Sequence, residues 1–133
     1  MVAVDTNVLV RLLTGDDARQ AAAARALFES EPIWIGKTVL LETAWVLRST
    51  YGIEEGGIRD AFTKLLGLKN VHAEDGPAMA AALALTAHGI ELADALHLSS
   101  RPAGARFVTF DRSFVRRAER AGAKAISGVS AKD

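Results

Sequence analysis

Four acids, Asp5, Glu42, Asp94 and Asp111, are set in or against apolar runs, and their type and setting suit them to chemistry. Asp5 ends Val2-Ala3-Val4. Glu42 stands between Val39-Leu40-Leu41 and Ala44-Trp45-Val46-Leu47. Asp94 lies inside Leu92-Ala93-Asp94-Ala95-Leu96, and Asp111 closes Phe107-Val108-Thr109-Phe110. A lone carboxylate removed from water is costly, so such groups are paired, neutralised or bound to a metal. The runs therefore suggest buried acids, and if the fold brings all four together a divalent cation is the natural explanation. Two carboxylates about 4 Å apart repel by about 4 kcal/mol at an effective dielectric of about 20, and a cation relieves that repulsion. Ligation by oxygen alone selects hard ions such as Mg2+ or Mn2+. A hard ion can activate water and offset charge on a phosphodiester.

Short apolar runs alternate with helical patterns along the chain. Val2 to Asp5 reads as a buried strand that turns into a helix carrying Val8, Leu9, Leu12 and Leu13, ended by Gly15. Asp16 is the expected N-cap of an alanine-rich helix over 18–30, stopped by Pro32. Ile33-Trp34-Ile35 is β-prone. Thr38 is the expected cap of a helix over 39–50, and a further helix covers 54–67. Val71-His72-Ala73 is a short strand. A helix starts at Asp75-Gly76-Pro77 and ends at His88-Gly89. Leu92 to Ser100 is helical, Arg106 to Phe110 a strand, Arg112 to Ala121 a helix, and Lys124-Ala125-Ile126 a last strand. Five strands alternating with helices predict an α/β fold: one parallel sheet with helices on both faces, a three-layer α/β/α sandwich. A single domain over 1–126 with a flexible tail over 127–133 is expected.

This order explains how distant acids could meet. The functional crevice of an open parallel sheet lies beyond the carboxyl ends of its strands. Asp5 and Asp111 occupy such ends. Glu42 and Asp94 fall early in helices, whose N-termini favour carboxylates and face the same rim.

Composition narrows the function further. The 133 residues include no cysteine, which removes disulfides, thiolate metal sites and cysteine nucleophiles together. The beginning of the chain lacks a signal-peptide pattern, and no run reaches the ~18 apolar residues of a membrane span. A cytoplasmic protein without a membrane partner is expected. Net charge is zero, but residues 1–100 carry 8 Lys and Arg against 13 Asp and Glu, while residues 101–133 carry 8 against 3. A basic segment beside an acidic site suits a polyanion. Arg112 and Arg116 are its candidate phosphate contacts; the alternative is that they, Arg117 and Arg120 form the solvated face of one helix.

At these same residues the chain resembles a known family. The segments Val4-Asp5-Thr6-Asn7-Val8-Leu9-Val10, Leu41-Glu42-Thr43-Ala44-Trp45-Val46-Leu47, Ala93-Asp94-Ala95-Leu96-His97-Leu98 and Phe107-Val108-Thr109-Phe110-Asp111 resemble those of PIN-domain ribonucleases, in the family's order. The likeness is greatest to the VapC-like toxins of toxin–antitoxin pairs. The resemblance implies a sheet in the order 3-2-1-4-5. It implies that Asp5, Glu42, Asp94 and Asp111 hold Mg2+ or Mn2+, with Asn7 and Thr109 as polar supports. It also implies an endoribonuclease acting on tRNA or rRNA, a homodimer, and a cognate antitoxin that blocks the site. Hydrolysis by activated water would leave a 5′-phosphate and a 3′-hydroxyl.

Plainer uses exist for each residue. Asp5, Asp94 and Asp111 could cap helices, and Glu42 could pair with Arg11 or Arg48. His97, one turn beyond Asp94, is expected to be a packed, hydrogen-bonded histidine. Trp34, Trp45, Phe28 and Leu12 are expected mainly in the core. A haloacid-dehalogenase-like phosphatase would need a second Asp where Asn7 stands, and a receiver domain would need a strand-ending Lys. A non-catalytic RNA- or protein-binding module of the same fold is the rival of another class.

Overall fold

A computed structural model describes residues 1–130; the last three residues of the expected tail lie outside the described residues. The chain forms two compact units, one ending at Gly76 and the other beginning at Pro77.

The first unit starts with β1 (Val2–Ala3), shorter than expected because Asp5 already caps the next helix. The Asp5 backbone is extended while its side chain accepts from Val8 N, starting α1 (Thr6–Thr14). Gly15, at φ 66°, closes that helix in the left-handed conformation that costs glycine little. Asp17, rather than Asp16, caps α2 (Ala18–Ser30) by accepting from Arg19 N and Gln20 N. Asp16 is drawn instead into a polar cluster with the Arg11 guanidinium and the Tyr51 hydroxyl.

Strand β2 (Ile33–Ile35) pairs in parallel with β1, Val2 opposite Ile33. It also pairs in parallel with β3 (Val71–Ala73), Ile33 opposite Val71. Ile33 and Ile35 are fully buried, whereas Trp34 between them faces the other way and is partly exposed, as alternation along a strand requires. The N-cap of helix α3 (Lys37–Ser49) is Gly36, two residues before the expected cap Thr38, and it has no side chain to cap with. Glu74, just after β3, supplies the missing acceptor: its Oε1 lies 2.9 Å from Lys37 N. Helix α4 (Glu55–Leu66) completes the unit and buries Ile58, Phe62 and Leu65. Phe62, Leu9, Leu40 and Leu47 are among its fully buried core residues.

The second unit contains α5 (Gly76–Thr86), α6 (Leu92–Ser99), β4 (Phe107–Thr109), α7 (Arg112–Arg120) and β5 (Ile126–Gly128). Strands β4 and β5 are parallel, Phe107 opposite Ile126 and Thr109 opposite Gly128. Strand β5 starts later than expected, so Ser127 and Gly128, assigned above to a tail, are paired residues, and Val129 N still donates to Thr109 O. Phe107 meets Phe114 edge to face, ring centres 5.7 Å apart, which docks α7 on β4. Arg101 fixes the approach to β5 by donating to the carbonyls of Lys124 and Ala125, at 2.6 and 2.9 Å.

All strand pairs are parallel and alternate with helices, as an α/β fold requires. The hydrogen-bonded ladders form a three-stranded sheet in the order β1-β2-β3 and a two-stranded sheet β4-β5; no pairing joins β1 to β4 among the described residues. Each sheet reproduces a stretch of the expected order. No helix among the described residues is long and apolar enough to cross a membrane.

Candidate functional site

In the first unit Asp5 and Glu42 are joined through one residue. Asp5 sits where β1 gives way to α1, its Oδ1 3.1 Å from Val8 N, and it is exposed. The next residue, Thr6, is buried, and its hydroxyl donates to the Glu42 carboxylate across 36 positions of sequence. Glu42 lies in the second turn of α3. The buried residues of that helix are Leu40, Thr43 and Leu47, so Glu42 falls off their face and is exposed. Neither proposed arginine partner reaches Glu42: Arg11 pairs with Asp16 at 3.3 Å and Arg48 with Glu55 at 3.2 Å. Asn7 is exposed in the first turn of α1, and no side-chain hydrogen bond from it occurs among the described residues.

In the second unit Asp94 and Asp111 line one pocket of about 220 Å³ together with Glu91, Ser113 and Arg117. Asp94 is in the first turn of α6 and half-buried; Asp111 is the exposed N-cap of α7, accepting from Phe114 N at 3.0 Å. Thr109 accepts from the Asp111 N–H at 3.0 Å, so its hydroxyl holds the backbone that presents this acid. Burial pushes the Asp94 carboxyl above its ordinary range. Repulsion from Glu91 and a smaller one from Asp111 act in the same direction, while His97 acts against them. His97 is exposed rather than packed as expected, because Leu92, Ala95, Leu96 and Leu98 occupy the buried face of α6.

The expectation of buried acids is overturned. Asp5, Glu42 and Asp111 are exposed, and only Asp94 is half-buried. The apolar residues around them turn to the core while helix starts and helix periodicity turn the acids outward. The same geometry corrects the expectation for Trp45, which is 69% exposed, whereas Phe28 is buried as expected. None of the four acids has a Lys, Arg or His partner within salt-bridge distance among the described residues, where the ion pairs are Arg11–Asp16, Lys37–Asp75 and Arg48–Glu55. Also among the described residues, no group of three or more His, Asp or Glu side chains is arranged to hold a metal ion.

Two residues escaped the sequence reading. Thr6 looked like a turn former, and no local signal links it to Glu42. Glu91 belongs to none of the motifs above, yet it shares the Asp94 pocket. Of the arginines on α7, Arg112 and Arg116 are exposed and stand outside the lining of that pocket, while Arg117 is part of it.

A parallel α/β protein whose unpaired carboxylates stand at strand ends and early in helices has the makings of a metal-dependent hydrolase. The PIN domain family model matches residues 2–120, and the chain belongs to the PIN domain family. No curated protein matches the chain. PIN domains are generally metal-dependent nucleases and typically use divalent ions. The donor set fits such an ion in kind: the candidate ligands are all carboxylate oxygens, and no basic side chain among the described residues neutralises them.

Proposed function

We propose that this protein is a metal-dependent endoribonuclease, the toxin of a toxin–antitoxin pair, which hydrolyses phosphodiester bonds of tRNA or rRNA. The observation that supports the reading is that Asp5, Glu42, Asp94 and Asp111, in a chain that belongs to the PIN domain family, all lack a cationic partner among the described residues. In this reading these acids hold Mg2+ or Mn2+. When bound, the ion lowers the pKa of water and offsets charge on the scissile phosphate. The protein's own part is orientation. Thr6 keeps Glu42 in one rotamer through its hydrogen bond, Thr109 fixes the Asp111 backbone, and the two caps set where Asp5 and Asp111 begin their helices. Asn7 is assigned to orient a carboxylate or water, and Arg112 and Arg116 to contact phosphates of RNA away from the acids. A cognate antitoxin, a homodimer, a cytoplasmic location, one domain over 1–126 and a five-stranded sheet in the order 3-2-1-4-5 belong to the same reading.

The test is cleavage of total cellular RNA by the purified protein with Mn2+ or Mg2+, followed by analysis of the new ends. Divalent-dependent cleavage leaving 5′-phosphates is the expected result. Cleavage that persists in EDTA, or none under any divalent ion, would contradict it. A second reading, a non-catalytic RNA- or protein-binding module, draws support from the absence of a ready three-acid metal group among the described residues. RNA bound but left intact in Mn2+ would favour that reading.

A further inference from the structure

Helix α7 carries several arginines, and their placement separates one from the rest. Arg112 and Arg116 are exposed on the helix and do not line the acidic pocket of the second unit. Arg117 lines that pocket with Asp94 and Asp111. Its Nη1 donates to the Gly89 carbonyl at 2.7 Å. Gly89 sits at φ 76°, and a Cβ placed there would lie 3.4 Å from Nη1 and 3.6 Å from Cζ. The guanidinium therefore runs close past Gly89, in the segment that leads into α6. Arg117 is exposed like its neighbours, but its guanidinium is held to the backbone by this hydrogen bond.

A guanidinium beside several carboxylates would be expected to form an ion pair with one of them. Arg117 does not: no carboxylate lies within salt-bridge distance of it among the described residues. Among the described residues its side chain makes one hydrogen bond, to Gly89, which leaves most of its five donors available. A planar, tethered cation with spare donors matches a phosphate, which accepts two parallel N–H bonds. Pairing with the acids would instead have marked it as a structural counter-ion.

We infer that Arg117 is a substrate-binding residue that holds a phosphate of single-stranded RNA at the Asp94–Asp111 pocket, with Gly89 as its backbone tether. The inference rests on the nuclease reading above. It also ranks the arginines of α7: Arg117 makes a directed contact, whereas Arg120, at the end of the helix, adds only general charge.

The experiment measures affinity for a fluorescein-labelled single-stranded oligoribonucleotide by anisotropy, without divalent ions, so that binding is read apart from cleavage. Wild type, Arg117→Gln, Arg117→Lys, Arg117→Ala and Arg120→Ala are compared over a range of salt. Gln loses the charge and is too short to keep the Gly89 bond, whereas Lys keeps the charge, so the two together separate the charge from the geometry. Arg117→Gln and Arg117→Ala should each weaken binding about 10- to 100-fold and lower the salt slope by about one. Arg117→Lys should recover part of the loss, and Arg120→Ala should cost clearly less than Arg117→Gln. Thermal melting of each variant identifies any that fail to fold, and Arg117→Gln is the variant that decides. Wild-type affinity in Arg117→Gln, or equal losses for Arg117→Gln and Arg120→Ala, overturns the inference while leaving the nuclease reading in place if wild type cleaves RNA. No RNA binding and no cleavage by wild type would overturn both.

Discussion

The two pairs of acids are the same chemical groups held in different ways. In the first unit Asp5 and Glu42 are exposed, and the Glu42 carboxylate is steadied by a buried hydroxyl, that of Thr6. In the second unit Asp94 and Asp111 share a small pocket with Glu91, and burial and like charge push Asp94 up. One pair is preorganised by a donor. The other is electrostatically frustrated, and its frustration is what a cation relieves. Charge removal should therefore harm function in both units, but only at Asp94 should it also stabilise the metal-free fold.

The largest expected effect tests the shared part of that comparison. Asp5→Asn and Asp94→Asn should each reduce Mn2+-dependent RNA cleavage by about 1000-fold, because several kcal/mol of charge stabilisation is lost. Initial rates on a labelled RNA measure it, and a large loss in only one unit would assign the chemistry to that pair. Next is the hydroxyl that only the first unit has. Thr6→Val keeps shape and removes the donor to Glu42, so Mn2+ affinity or cleavage should fall about 10- to 100-fold. An unchanged value would show that Glu42 needs no orientation.

A smaller effect concerns what the units have in common apart from chemistry. Asp5 and Asp111 each cap a helix. Asp5→Ala and Asp111→Ala should each cost about 1 kcal/mol of stability in denaturant unfolding. A loss confined to one of them would break the symmetry. The smallest effect separates the units. The raised carboxyl of folded Asp94 means that its charged form opposes folding. The penalty is absent below the unfolded aspartate value of about 3.9. It grows as pH rises through that value and is complete above the raised folded one. In metal-free protein Asp94→Asn should therefore raise the melting temperature at neutral pH and not at about pH 3, whereas Glu42→Gln, which keeps an acceptor for Thr6, should leave it near wild type at both. A lower melting temperature for Asp94→Asn at neutral pH would remove the distinction.

Local features were legible in the sequence, and features made by distant partners were not. The starts of α1 and α7 could be read because an apolar run meets an Asp that caps the following helix, whereas β1 and β4 end before that Asp. Strand β2 was readable from Ile33-Trp34-Ile35 alone. The start of α3 was misplaced because its cap is Glu74, 37 positions away, and no local pattern announces it. Thr6 was missed for the same reason. Arg117 was hidden among similar arginines, since only the approach of Gly89 distinguishes it. Burial was misjudged at the acids and at Trp45 because a run of apolar residues does not say which face of a helix turns inward. Leu40, Thr43 and Leu47 set that face in α3, and both Glu42 and Trp45 fall outside it.

The central claim is that these unpaired carboxylates are ligands for a divalent ion, and Mn2+ titration by calorimetry tests it most directly. Wild type should take up Mn2+ saturably and in stoichiometric amount, and Asp94→Asn, with the fold intact by circular dichroism, should bind it much more weakly. No measurable uptake by wild type, or uptake unchanged in the variant, would contradict the account.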